Sequence, residues 1–397
     1  MNTHYSLPGI YTEDVFITPR PPLQTGVPIF LAYMPNVPDS VLGFDAAFDT
    51  ADMEARWLAY YQTPIEIVSE YLFGQLLAHL PADTYTRSAV NGFLRNGGVA
   101  CYVLPLPELT HDAVVNALQV LEDFGEGDLL CIPDVMLGLE TQSLTTQEVI
   151  LIQRELLTHC AKVSTRFAIL DALPEREMLF EQREILIQAA GRYGALYFPW
   201  IMTLQETTRF VPPSGHIAGT YARSDIARGI HKAPANEELE DVLDIKGTIS
   251  KREQTALMAQ HINYVLPMRG RGIRAWGAHT LSTDAQWRFL TTSRLFAKVS
   301  RWVHRFMTTV AFENNDIYLW TYIESTLMLY LFDLVEAGEI KGYFVRCNAE
   351  TNPPDARELG VVRTQIGLAP AYPLEYIVVR VLHGEGGTTI DVDKPLP

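Results

Sequence analysis

Short apolar runs and amphipathic stretches alternate through the middle of this chain. The runs at 99–106, 129–135, 167–173 and 195–201 are nearly unbroken in Val, Ile, Leu, Phe and Ala, the composition of strands covered on both faces. Helical periodicity fills the gaps, over 110–123, 146–163 and 175–190. Thr145 followed by Glu148 is a capping box at the start of the second of these. Such alternation predicts a mostly parallel sheet with helices on its faces. Upstream, 64–98 has a helical pattern that stops at Gly97-Gly98.

Beyond residue 210 the pattern changes. The stretch 211–247 reads as irregular, with Val211-Pro212-Pro213-Ser214-Gly215, Lys232-Ala233-Pro234-Ala235-Asn236 and the acidic run Glu237-Glu238-Leu239-Glu240-Asp241. Ser250 and Glu253 form a second capping box, opening a helix expected to stop before Pro267. Arg269-Gly270-Arg271-Gly272 is a turn ahead of a strand at Ile273-Arg274-Ala275-Trp276. Two long amphipathic helices follow, over 284–309 and 315–337, and then strand-like runs at 342–348, 361–370 and 375–383. On a helical wheel Arg294, Lys298, Arg301 and Arg305 fall within about 60° of one another, away from Leu295, Val299, Trp302, Val303 and Phe306. Four cations with no interleaved acid differ from the mixed signs of an ordinary solvated face. The second helix places Leu319, Ile323, Leu327, Tyr330, Leu331 and Leu334 inward and ends at Gly338. The stretch 269–383 thus has large apolar faces, a basic stripe and a sheet with edges, the parts of a module that builds something from many copies.

The first 24 residues are different again. Alternation at 10–17, with Ile10, Tyr11, Val15 and Ile17, reads as one strand, followed by the extended Thr18-Pro19-Arg20-Pro21-Pro22. Such an arm reaches roughly 80 Å at about 3.3 Å per residue. Its strand either pairs within its own chain or adds to the sheet edge of a neighbour.

Bulk properties narrow the classes. At 397 residues, 48% apolar and 20% charged, the chain is globular in composition and long enough for two cored domains. No apolar run approaches the roughly 20 residues of a membrane span, and Met1-Asn2-Thr3-His4-Tyr5 does not open a secretory signal, so folding in the cytoplasm is expected. A net charge of −16 argues against nucleic acid. That charge is uneven: residues 1–245 carry 14 Lys and Arg against 32 Asp and Glu, whereas 246–397 carry 17 against 15. The shift places a boundary near 245. The expected organisation is an arm at 1–24, an α/β domain at 25–245, an α+β assembly domain at 246–383 and a C-terminal arm at 384–397.

Chemistry is sparse. Cys101, Cys131, Cys160 and Cys347 are far apart, and the ten histidines have no metal spacing. No phosphate-binding loop occurs, and no cofactor is expected. Ser214-Gly215-His216-Ile217-Ala218-Gly219-Thr220 is similar to the region around the catalytic histidine of subtilisin-type proteases. No Gly-x-Ser-x-Gly or Gly-Thr-Ser element follows it to supply a nucleophile.

Several blocks together resemble the contractile tail sheath proteins of phages, R-type pyocins and phage-tail-like injection particles. Pro8-Gly9-Ile10-Tyr11 with Asp14-Val15 is similar to the opening arm of that family. Ala89-Val90, Gly92-Phe93, Asn96-Gly97-Gly98 and Cys101-Tyr102-Val103 are similar to its first helix–strand block. The most specific segment runs from Val211-Pro212-Pro213-Ser214-Gly215-His216 through Tyr221-Ala222-Arg223 and Asp225 to Lys232-Ala233-Pro234-Ala235-Asn236. Arg271-Gly272-Ile273, Trp276-Gly277-Ala278, Thr280-Leu281, Phe344-Val345-Arg346-Cys347, Thr351-Asn352, Gly367 and Ala369-Pro370 complete the series in family order. His279 stands where the family commonly has arginine.

The resemblance implies a subtilisin-like but non-catalytic sheet domain, a C-terminal α+β domain and extended arms at both ends. It implies a structural subunit without enzymatic activity, stacked in hexameric rings around an inner tube and contracting to drive that tube through an envelope. The implied partners are further copies of the chain, the inner tube, baseplate and terminal cap proteins, and sheath paralogues where several exist, with no nucleic acid and no membrane insertion. The setting is the bacterial cytoplasm and then a virion tail or an extracellular particle. On this reading Ile10, Tyr11, Val15 and Ile17 in one arm, and Tyr376, Val378 and Arg380 in the last strand, are exchanged between subunits, while Arg294, Lys298, Arg301 and Arg305 face the tube. The competing classes are a degenerate subtilisin-like hydrolase and a non-assembling α/β binding protein.

Overall fold

The computed structural model describes residues 23–36, 50–373, 378–384 and 387–393. Its framework is a nine-stranded sheet in the order β2-β3-β1-β4-β5-β6-β10-β11-β8. Six strands at the centre run parallel: β3 (Cys101–Leu106), β1 (Pro28–Tyr33), β4 (Leu129–Cys131), β5 (Phe167–Asp171), β6 (Gly194–Phe198) and β10 (Asn263–Met268). Every residue of β4, β5 and β6 is buried, which is why those runs are apolar throughout rather than alternating. Antiparallel strands close both ends: β2 (Ile65–Ile67) lies on β3, and β11 (Gly272–Trp276) lies on β10 with β8 (Glu237–Glu238) outside it.

The helices between strands follow their sequence signals closely where capping chemistry is strong. Helix α6 (Thr146–Val163) begins at the Thr145 cap: Glu148 accepts the Thr145 backbone N–H at 2.7 Å, and the Thr145 hydroxyl accepts the Glu148 N–H at 3.3 Å. Helix α4 (His111–Val120) is capped by Thr110, and α9 (Lys251–Ala259) by the Ser250–Glu253 box. The segment at 175–190 is a 3-10 turn, Arg176–Met178, followed by α7 (Leu179–Ile187). This half also contains α1 (Thr50–Tyr61), α2 (Glu70–Leu77) and α5 (Val135–Glu140).

Three expectations need correction. The helical stretch 64–98 contains strand β2, α2 and α3 (Tyr85–Arg95). The irregular stretch 211–247 contains a fifteen-residue helix, α8 (Ser214–Arg228), together with β8 and β9 (Val242–Ile245), the latter paired with β7 (Ile201–Thr203). Helix α8 lacks a polar face because it is buried along most of its length, so no amphipathic period marks it. It also packs unusually near α3: a Cβ on Gly215 would lie 2.2 Å from the Ala89 carbonyl oxygen. The helix from Ser250 does stop before Pro267, at Ala259, and the chain then forms β10 through that proline. Proline is tolerated there because β10 pairs with β6 only at Asn263 and Tyr264. Finally, the large sheet continues to Trp276, so the charge boundary near 245 falls inside it.

After Leu281 the chain forms a second layer. Helix α10 (Leu290–Met307) and helix α11 (Ile317–Glu336) pack beside a two-stranded antiparallel sheet of β12 (Ile340–Arg346) and β13 (Gln365–Pro370), which are joined by a loop containing the short α12 (Pro354–Glu358). Two small cores hold this module. One gathers Leu295, Val299, Leu331, Leu334 and Ile340 around Ile230. The other gathers Phe306, Trp320, Ile323, Leu327 and Cys347. Trp302 stacks on Tyr330 with centroids 4.0 Å apart. The expected C-terminal arm at 384–397 is corrected in part: β14 (Val378–Gly384) turns back into β15 (Gly387–Asp393) as a separate antiparallel hairpin.

Candidate functional site

Helix α10 lies where the sheet body, the C-terminal layer and the start of the described chain converge. Arg294 enters the sheet body from its first turns and is 1% exposed. Its two terminal nitrogens reach the Asp225 carboxylate of α8 at 3.0 and 2.5 Å, and one lies 3.5 Å from Asp128 just before β4. The guanidinium also stacks 4.7 Å from the Tyr221 ring, whose hydroxyl is 2.8 Å from that of Tyr197 on β6.

Asp128 turns the other way as well. Its carboxylate accepts the backbone N–H groups of Gly26 at 3.1 Å and Val27 at 2.7 Å. About two turns further along α10, Arg301 is 6% exposed and donates to the Gln24 carbonyl at 2.9 Å. Gly26 has φ +76°, and a Cβ there would lie 2.5 Å from Ala222 Cα. The position therefore needs glycine on both counts.

Burial alone would depress the Arg294 guanidinium, but Asp225 and Asp128 together outweigh it and hold its pKa above the ordinary arginine value. Burial also pushes Asp225 up despite the arginine beside it. The two-pronged contact of guanidinium with carboxylate is the geometry of a charged pair. Such pairs fix geometry more than they add net stability, whereas breaking one partner away costs about 3–5 kcal/mol.

The expected four-cation face is therefore corrected. Arg294 and Arg301 are buried, and Lys298 is paired with Glu339, immediately before β12, at 2.6–2.7 Å. The stripe points inward because its acidic partners lie on other elements, which a wheel of one helix does not display. Arg305 is exposed. Ile10, Tyr11, Val15 and Ile17 lie outside the described residues, as does Tyr376. Val378 and Arg380 are in β14, paired with Asp393 and Asp391 of β15.

Open edges are the second feature. The β12–β13 sheet and the β14–β15 hairpin have two strands each, with no third strand among the described residues. Helix α11 exposes Ile317, Tyr318, Tyr322, Met328, Leu329 and Phe332.

The protease-like segment is sealed. Ser214 donates its backbone N–H to Asp171 at 2.9 Å, and His216 follows two residues later, but all three are buried. Neither ring nitrogen of His216 has a partner, and burial lowers its pKa to about 4. Burial raises Asp171 to about 7. A substrate has no access to this group. Among the described residues no cluster of His, Cys, Asp or Glu is arranged to hold a metal, and no helix is long and apolar enough to cross a membrane.

Comparisons with known proteins agree with one another. Residues 137–281 match the phage tail sheath protein central domain, and residues 282–382 match the phage tail sheath C-terminal domain. Their junction coincides with the end of the sheet body. A tail sheath protein of Salmonella phage ViI is 24% identical over 176 residues, 43% of this chain and 28% of its own length. A putative prophage major tail sheath protein of Pseudomonas aeruginosa (strain UCBPP-PA14) is 29% identical over 93 residues, 22% of this chain and 24% of its own length. The matched stretches thus span under a third of either curated relative. Among solved structures, a chain of the anti-feeding prophage helical sheath in its contracted state is similar with a TM-score of 0.71 and 23% identity, covering 96% of this chain and 100% of that one. A chain of the contracted sheath complex of an extracellular contractile injection system (PVC) gives a TM-score of 0.67 at 22% identity, covering 97% and 99%. At these identities the likeness is one of fold.

Proposed function

The chain belongs to the phage tail sheath proteins, which are structural proteins and not enzymes, and on that premise we propose that it is the subunit of a contractile sheath. Copies stack as hexameric rings around an inner tube, between a baseplate and a terminal cap, and contract to drive the tube through a target envelope. The subunit is made in the bacterial cytoplasm and ends in a virion tail or an extracellular particle. The observation that carries this reading is the β12–β13 sheet, which stands in a sheath fold with both outer edges unpaired among the described residues.

Residues 1–24 and the segment from about 375 act as exchanged strands that complete such sheets in neighbouring subunits. Backbone pairing of this kind keeps rings connected while rigid bodies rotate. The β14–β15 hairpin is delivered as a unit, since both of its strands already pair with each other. No nucleotide is needed: two packings of one lattice differ in free energy, at about 25 cal/mol for each Å² of apolar surface that the contracted form buries in addition. Arg305, the member of the basic stripe left exposed, faces the tube. The sheet body has a subtilisin-like layout, supported by its parallel strand order.

Deleting residues 2–20 tests the proposal. The expected product is a folded protein that forms no tubes by negative-stain electron microscopy, whereas full-length chain does form them. Normal sheaths from the deletion variant would refute the exchange.

A further inference from the structure

The basic stripe on α10 has a use that its burial reveals. Two side chains distant in sequence hold the backbone at Gln24–Val27, just ahead of strand β1. Asp128, before β4, accepts the Gly26 and Val27 N–H groups. Arg301, on α10, donates to the Gln24 carbonyl. Arg294 ties Asp128, and Asp225 of α8, to α10 from inside. Gly26 is wedged against Ala222 in a conformation that glycine alone adopts without strain.

From this geometry we propose that Arg301 and Arg294, with Asp128 and Asp225, are positioning residues that clamp the root of the N-terminal arm onto α10. The clamp fixes where and in which direction residues 1–23 leave the body. A pull on the arm passes through Arg301 into α10, through Arg294 into α8 and β4, and through Lys298 and Glu339 into the start of β12. Without it the same pull would act first on β1, which is hydrogen-bonded to both β3 and β4 at the middle of the sheet. Peeling there would open the main core. The clamp thus joins an arm at one end of the chain to the open sheet near the other, and it rests on the arm-exchange reading above only for the origin of the pull.

The test uses the full-length chain with Arg301→Ala, Arg301→Lys and Gly26→Ala. Hydrogen exchange is followed on the unassembled protein at Thr25–Val27, and sheath length is measured by electron microscopy. In Arg301→Ala, exchange at these amides is expected to rise at least about tenfold while the β4–β6 amides are unchanged, since local opening is separable from global unfolding. Sheaths from this variant should be shorter than wild type. Arg301→Lys restores one donor and should recover most of both properties. Gly26→Ala displaces the same root without altering a charge and should reproduce the alanine phenotype; it decides the matter if Arg301→Ala does not fold. Unchanged exchange at Thr25–Val27 would overturn the clamp. Faster exchange with sheaths of full length would overturn its role in transmitting the pull. A wild-type chain that assembles no sheath, yet shows the exchange effect, would instead refute the proposed function and leave the clamp standing.

Discussion

The sheet body up to Leu281 and the helical layer that follows bury their apolar residues in different ways. The body has one continuous core that runs from Ile29 on β1 to Leu290 at the start of α10. Its sheet ends in short strands of three and two residues, β2 and β8. Short edges of this kind resist further pairing. The C-terminal layer has two small cores, a sheet of two strands, and one helix with six large apolar side chains facing outward. Two strands alone are marginal in water, and apolar patches of that density mark contact surfaces. One region closes its core within the chain; the other leaves strand edges and an apolar helix face uncovered among the described residues.

This contrast can be attacked at its strongest point first. Replacing Arg294 with alanine leaves Asp225 and Asp128 buried without their cation, which should cost about 3–5 kcal/mol in urea unfolding. A loss near zero would mean that the junction is not held by this pair. Next, Leu327→Ala in the small core around Trp320 should cost about 2–5 kcal/mol. If the two regions are separate cooperative units, hydrogen exchange will show the loss confined to α10, α11, β12 and β13. A loss spread evenly through β4–β6 would make the chain one unit and remove the contrast.

Acid offers a way to sharpen it, because the buried titratable groups sit in the body. His216 in the unfolded chain takes a proton below pH 6.5, whereas the folded residue does not until about 4. Folded stability is therefore lost as pH falls through that window and changes no further below it. Relative to His216→Leu, the wild type should lose up to about 3 kcal/mol between pH 6.5 and 4. Asp171 works in the opposite sense. Its folded pKa of about 7 means that ionisation is opposed in the native state, so relative to Asp171→Asn the wild type should lose stability as pH rises from about 4 to 7. Urea midpoints for both variants across this range check the signs. The smallest effect belongs to the open face of α11: Tyr322→Ser with Leu329→Ser should change monomer stability by about 0.5 kcal/mol or less while reducing assembly seen by sedimentation. Undiminished assembly would show that this face is not a contact.

The sequence by itself determined those elements whose signals are local. Thr145 and Glu148 fix the start of α6, and the Ser250–Glu253 box fixes that of α9, because both halves of each cap lie within four residues. Continuous apolar runs locate β3 to β6, since a strand covered on both faces needs no polar positions. The family motifs were legible for the same reason. Only the tertiary structure decided what α8 is, because a helix buried on most of its circumference loses the period that would reveal it. It also decided the direction of the basic stripe. Arg294, Lys298 and Arg301 are aligned by the helix, but whether they meet solvent depends on Asp225, Glu339 and the Gln24 carbonyl, which lie 69, 41 and 277 positions away. Charge pairing over such separations is a property of packing, and helical spacing carries no record of it.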